Sequence, residues 1–248
     1  MSSLRPLLVV AGLGTGQGTG AATARLFAKS GYSVALIARG QDAVQGLAKK
    51  INDEGGNAAG FPIASYAPSD IQSAFSAIKT HFPAQTHTLK AAVWNAGAGV
   101  WKPFLEITEQ DVQNSLDTNV VAAFAFARQV ILGLKENELD NNGKKGTLIF
   151  TGATASVRGN VTTSAFSASK HALRALSQSL AKEFGKEKIH VSHVIIDGGI
   201  RTDRSIDRIQ AGNGLEPDSI AQSYLYLANQ DHSALTWELD LRPAVEKW

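Results

Sequence analysis

The chain of 248 residues contains no cysteine. That one absence excludes disulfides, thiolate metal centres and a cysteine nucleophile. Neither sign of charge is in excess: 24 Lys and Arg stand against 22 Asp and Glu, a formal net charge of +2. Such a balance does not favour a nucleic-acid backbone or an anionic membrane surface, and neither is expected as a partner. No apolar run is long enough to cross a bilayer. The N-terminal segment carries one arginine before a short apolar run and has no cleavage-site pattern, so it reads as a strand and a cytoplasmic protein is expected. The histidines and carboxylates show no metal-ligand spacing, and no metal is expected. There are only four tyrosines, Tyr32, Tyr66, Tyr224 and Tyr226, and no repeat or linker breaks the chain.

What the chain does have is glycine near its N-terminus. Residues 12–20 read G-L-G-T-G-Q-G-T-G, a spacing that suits neither helix nor strand and predicts a loop. The apolar residues Leu7, Leu8, Val9, Val10 and Ala11 precede it, and a helix-forming run over 21–29 follows, with Gly31 as its C′ residue. Strand, glycine loop and helix in that order form a phosphate cradle. The backbone can approach a pyrophosphate closely, and the free N–H groups and positive dipole end of the helix face the anion. The strict pattern G-x-G-x-x-G is absent. The looser G-x-x-x-G-x-G occurs in two registers, Gly12, Gly16, Gly18 and Gly14, Gly18, Gly20. The second is preferred, because the helix then starts straight after its last glycine.

A second strand over 32–38 ends at Arg39. An acidic side chain there would bond the ribose 2′-hydroxyl of NAD, whereas a guanidinium suits the 2′-phosphate of NADP. NADP(H) is therefore favoured over NAD(H). Further strands are expected at 58–64, 89–94, 147–151 and 190–196, and helices at 41–54, 69–81, 111–134, 166–184 and 220–228. This alternation predicts a Rossmann-type α/β fold, a doubly wound parallel sheet in a single domain. The helix over 111–134 is apolar almost all round, which predicts burial on more than one side.

The glycine loop, the Asn95-Ala96-Gly97 turn, Asn119 within the long helix and Lys170 in a later helix resemble the short-chain dehydrogenase/reductase family, over nearly the whole chain. The resemblance implies that Gly14, Gly18, Thr19 and Gly20 hold the pyrophosphate and that Asn95 and Gly97 support the adenosine side. Lys170 would hold the nicotinamide ribose, and Asn119 a water linking that lysine to solvent. The main chain at Ile200 would bind the carboxamide and the hydroxyl of Thr202 the nicotinamide or a phosphate, where 200–217 forms a short lid. The family's tyrosine acid, four residues before the lysine, falls on Phe166, and its serine, thirteen residues earlier, on Ala153. Thr154 lies one residue away, and Ser167 is turned about 100° from Phe166 by the helical period. The family's Pro-Gly after the sixth strand reads Asp197-Gly198, and its adenine-contacting Asp reads Ala64 or Ser65. Trp101 is a candidate pocket or core residue, while His171, His190 and His193 read as structural; Arg201, Asp203 and Arg204 open the lid.

Two readings follow. One is an NADP(H)-dependent oxidoreductase with an atypical site, transferring hydride to or from a small carbonyl, alcohol or imine. Its proton would come from Lys170, directly or through the Asn119 water, or its substrate would be an iminium ion that needs none. The other is a nucleotide-binding protein without turnover, with a structural, sensing or partner-binding role. Family resemblance also implies a homodimer or homotetramer, assembled through the long helix and the helix of Phe166.

Overall fold

Strand β1 (Arg5–Ala11) is apolar on both faces because it lies at the centre of a parallel sheet. The computed structural model describes residues 4–207, 209–210 and 212–246. Its remaining strands are β2 (Ser33–Arg39), β3 (Asn57–Ile63), β4 (His87–Trp94), β5 (Gly146–Thr151), β6 (Ile189–Ile196) and β7 (Glu238–Leu241). Their order is β3-β2-β1-β4-β5-β6-β7, with every neighbouring pair parallel.

Successive residues of β1 point to opposite faces and feed two cores. Leu8 and Val10 pack with residues of α1 (Thr19–Lys29), α2 (Gln41–Asp53) and α7 (Pro217–Asn229). Leu7 and Val9 pack with residues of α3 (Pro68–His81), α5 (Ala122–Lys135) and α6 (Ser164–Phe184). The chain reverses its direction of winding between β1 and β4, so the helices after those strands diverge and leave a crevice at their carboxyl ends. The glycine loop and the Asn95 turn both open into that crevice.

Two elements differ from the pattern in the sequence. The long helix is interrupted: α4 (Glu109–Leu116) passes through a π turn (Asp117–Val121) into α5. One inserted residue leaves the apolar spacing on both sides intact, so periodicity alone does not reveal it. Its side chains are also not all covered, since Val121, Phe124 and Leu132 are exposed in the single chain. The edge strand β7, with the alternation Glu-Leu-Asp-Leu, has no counterpart in the expected strands because four half-polar residues resemble a loop.

The phosphate loop also resolves its two registers in an unexpected way. Helix α1 begins at Thr19 with Gly18 as N-cap, so Gly20 lies inside the first turn and not ahead of it. A Cβ at Gly20 would fall 2.1 Å from the Gly12 carbonyl oxygen, and one at Gly12, where φ is +95°, 2.3 Å from the Ala96 nitrogen. Gly12 is therefore the glycine of close approach at the strand end, while Gly14 stands in open surroundings. The loop joins the first glycine of one register to the last two of the other, with seven residues between Gly12 and Gly20 where G-x-x-x-G-x-G has five.

Helix propensity alone favours alanine over glycine at position 20 by up to about 1 kcal/mol. The close approach reverses that sign, since a methyl group would have to separate α1 from β1. Gly20→Ala is expected to lower the unfolding free energy by about 1–3 kcal/mol in urea titrations. A gain in stability would contradict the packing described.

Candidate functional site

The cradle is built from the free end of α1. Gly18 supplies no side-chain cap, the first turn carries no acidic residue, and the buried Thr19 hydroxyl has no partner. Unpaired N–H groups, a positive dipole end and an orphaned hydroxyl at one place fit a dinucleotide pyrophosphate. The Asn95 side-chain amide donates to the Gly12 carbonyl at 2.7 Å, and the Asn95 backbone N–H to the Ala11 carbonyl at 2.8 Å. The turn after β4 thus closes the strand end from which the loop departs.

Arg39 ends β2 at the same edge of the sheet. Its exposed guanidinium lies 5.4 Å from the centre of the Tyr66 ring. Beside it, α2 begins behind Gly40 without a side-chain cap, although Asp42 places one acid in that first turn. On the other side of the expected adenosine site, where Ala64 or Ser65 stands for the family's aspartate, the Ser65 backbone N–H and hydroxyl both donate to Asp70, each at 2.8 Å.

Gly97, expected on the adenosine side, instead lies against the two groups expected at the nicotinamide end. A Cβ there would lie 3.2 Å from Asn119 Oδ1 and 3.5 Å from Lys170 Nζ. Asn119 is fully buried in the π turn, where its amide donates to the carbonyls of Ala98 at 2.8 Å and Ser115 at 3.0 Å. Lys170 donates from Nζ to the Thr151 carbonyl at 2.9 Å. Burial pushes its ammonium down to about 8. Beyond Thr151, on the opposite face of the sheet, its side-chain oxygen shares a 2.7 Å hydrogen bond with Tyr224 OH. This buried phenol, raised by desolvation, is the tyrosine nearest the lysine by hydrogen-bond path, and the sheet separates it from the crevice.

The positions of the missing hydroxyls stay apolar. Ala153 uses its backbone N–H on Ser156 Oγ at 3.1 Å. Thr154 is no substitute, because its hydroxyl donates to the Asp197 carboxylate. Ser167 is buried against Thr163 Oγ1 at 2.9 Å, and Ser169 donates to the Phe166 carbonyl at 2.9 Å. The Phe166 ring centre lies 5.9 Å from Lys170 Nζ on one side and 5.2 Å from the Trp101 ring on the other. Trp101 is therefore not a core residue, being 65% exposed. Sequence spacing gave no sign of this contact, since the two rings lie 65 positions apart in the chain.

Asp197, in place of the family's proline, is a buried hub. It takes Arg242 at 2.9 Å and Arg158 at 3.4 Å in addition to Thr154. The lid is likewise tied down. Ile200 bridges to Leu215, Arg201 pairs with Glu216 at 2.6 Å, and the Thr202 backbone N–H donates to Ser205 Oγ at 2.8 Å. The Gln17 amide donates to the Asp203 carboxylate, so the lid rests on the glycine loop. Arg201 and Asp203 are thus both held by named partners. Of the structural histidines, His171 and His190 contact backbone carbonyls, and His193 Nδ1 lies 3.1 Å from Glu238. Burial holds His190 and His193 neutral, each down to about 4.

The pattern of the short chain dehydrogenase family matches residues 8–211. Carbonyl reductase family member 4 of Xenopus laevis is 29% identical over 227 residues, covering 88% of this chain and 90% of that protein. A short-chain dehydrogenase from Rhodopseudomonas palustris superposes with a TM-score of 0.78 at 28% identity, covering 96% and 98% of the two chains. A metagenomic short-chain oxidoreductase in complex with NADP shares the fold with a TM-score of 0.78 at 22% identity, covering 98% of each chain.

The two neutral histidines make stability depend on pH. Their folded values lie below the usual 6.5, so the unfolded chain binds more protons between pH 6.5 and 4. Their contribution is complete above pH 6.5 and is lost as pH falls toward 4, by up to about 1.4 kcal/mol per unit for each. Urea titrations are expected to give an unfolding free energy at least about 2 kcal/mol lower at pH 5 than at pH 7. A flat profile over that range would contradict the burial of these rings.

Proposed function

Because the chain belongs to the short-chain dehydrogenase family, we propose that it is an NADP(H)-dependent oxidoreductase acting on a small carbonyl, alcohol or imine without the family's tyrosine acid. The observation that carries this reading is the meeting of Asn119 and Lys170 at Gly97, beside a crevice whose acid position is Phe166. The nicotinamide side keeps its polar pair while the substrate side has lost its hydroxyls.

In this reading the cradle of Gly14, Gly18, Thr19 and Gly20 holds the pyrophosphate, and Arg39 with the open end of α2 takes the 2′-phosphate. Asn95 fixes the strand end, Lys170 binds the nicotinamide ribose, and Ile200 and Thr202 meet the carboxamide side. The bound dinucleotide supplies or accepts the hydride. Lys170 is the group placed to give a proton to a developing alkoxide, directly or through a water at Asn119. Its ammonium form is lost as pH rises through about 8, so carbonyl reduction falls over that range. The chain acts in the cytoplasm as one domain with a short lid over 200–217. The exposed Phe124 and Leu132 on α5, beside Leu176 and Leu180 on α6, suit a homodimer or homotetramer.

Ala153 and Phe166 themselves favour a second reading, a nucleotide-binding protein without turnover. A panel of carbonyls and imines with NADPH separates the two, run on the wild type beside Ala153→Ser/Phe166→Tyr. Wild-type carbonyl reduction is expected to be slow and to decline above pH 8. The double substitution is expected to raise it by about 100- to 10,000-fold, the range for a positioned general acid. Activity in the double variant alone would establish the second reading.

A further inference from the structure

Arg25, Arg158, Arg174, Arg201 and Arg242 each lie against a carboxylate. Arg39 does not. Among the described residues its guanidinium makes no ion pair or hydrogen bond, and the group it lies over is the Tyr66 ring. An exposed arginine with nothing to hold it samples many rotamers, and a ligand that fixes it must offset that lost freedom. A ring face that attracts the cation beforehand removes part of the cost.

Tyr66 is itself well anchored. Half-buried, it packs on the core with its ring 5.6 Å from that of the fully buried Trp94, edge to face, and Trp94 packs in turn on Phe126 at 5.2 Å. The backbone on both sides is tied as well. Ser65 donates to Asp70, and the Ala67 N–H donates to Ser65 Oγ at 3.1 Å, just before α3 begins at Pro68. Burial raises the Tyr66 phenol against the pull of Arg39, so the guanidinium meets a neutral ring.

A guanidinium held against a ring face keeps all its N–H donors in its own plane, available to an anion. The next residue, Gly40 with φ +88°, turns the chain from Arg39 into the uncapped start of α2. Resting on the NADP(H) reading above, we propose that Tyr66 is the positioning residue for 2′-phosphate selectivity, its ring holding the Arg39 guanidinium in place before the dinucleotide arrives. Arg39 makes the contact with the phosphate, and Tyr66 acts only through Arg39. The ring therefore strengthens NADPH binding over NADH binding, because only NADPH carries that phosphate.

The test is calorimetric titration with NADPH and with NADH, and the quantity read is the ratio of the two affinities. Tyr66→Phe, which keeps the ring, is expected to hold the wild-type ratio within about twofold. Tyr66→Leu is expected to lower it roughly 2- to 5-fold, the worth of a cation–π contact at an exposed site. Pentafluorophenylalanine at position 66 keeps nearly the same shape while reversing the charge distribution of the ring, and the same fall is expected there. In an Arg39→Ala background, Tyr66→Leu is expected to leave the ratio unchanged. Should Tyr66→Leu bind neither dinucleotide, the fluorinated protein decides. A wild-type ratio in the fluorinated protein, an equal loss for both dinucleotides, or the same fall persisting without Arg39 would overturn the proposal and leave the NADP(H) reading intact. A wild type that does not prefer NADPH, or whose preference survives Arg39→Ala, would overturn both.

Discussion

The contact of Gly20 on the Gly12 carbonyl, closed from the side by the Asn95 amide, is the constraint on which the molecule's chemistry depends. It joins β1, α1 and β4 at the place where the winding of the sheet reverses. Because no side chain intervenes, the first turn of α1 sits against the strand end and its unpaired N–H groups face the crevice. A methyl group at either glycine would separate these elements and tilt the cradle. The longer loop between the two glycines then has enough chain to carry Gln17 out to Asp203 and support the lid.

Across the crevice, the same sheet positions a different chemistry. Lys170 is buried with one carbonyl acceptor and a phenyl ring for company, and desolvation alone lowers its ammonium. The tyrosine that would share its hydrogen bonds is absent, while Tyr224 reaches Thr151 from the far side of the sheet. A polar cradle therefore faces an apolar, aromatic pair across the crevice.

Much of the fold was legible because buried parallel strands are continuous apolar runs and their helices keep a clear period. The places that escaped have physical causes. Evenly spaced glycines do not say which pair makes the close approach, and only the packing of Gly12 against Ala96 overturns the preference for Gly14. The π turn around Asn119 preserves the apolar spacing on either side. Strand β7 is short and half polar. The meeting of Lys170 with Asn119 at Gly97, and the places of Asn95 and Arg39 at strand ends, agree with what order and spacing implied. The Trp101–Phe166 pair and the Asp197 hub join distant segments through loops, and no local pattern encodes such contacts.

The central claim is that a complete dinucleotide cradle with a 2′-phosphate-selecting Arg39 persists beside the altered acid position. Calorimetric titration of the wild type with NADPH and with NADH tests it most directly. The account predicts that NADPH binds roughly 10- to 100-fold more tightly, the worth of charge-assisted hydrogen bonds from the guanidinium. Absence of binding by either dinucleotide, or a preference for NADH, would contradict it.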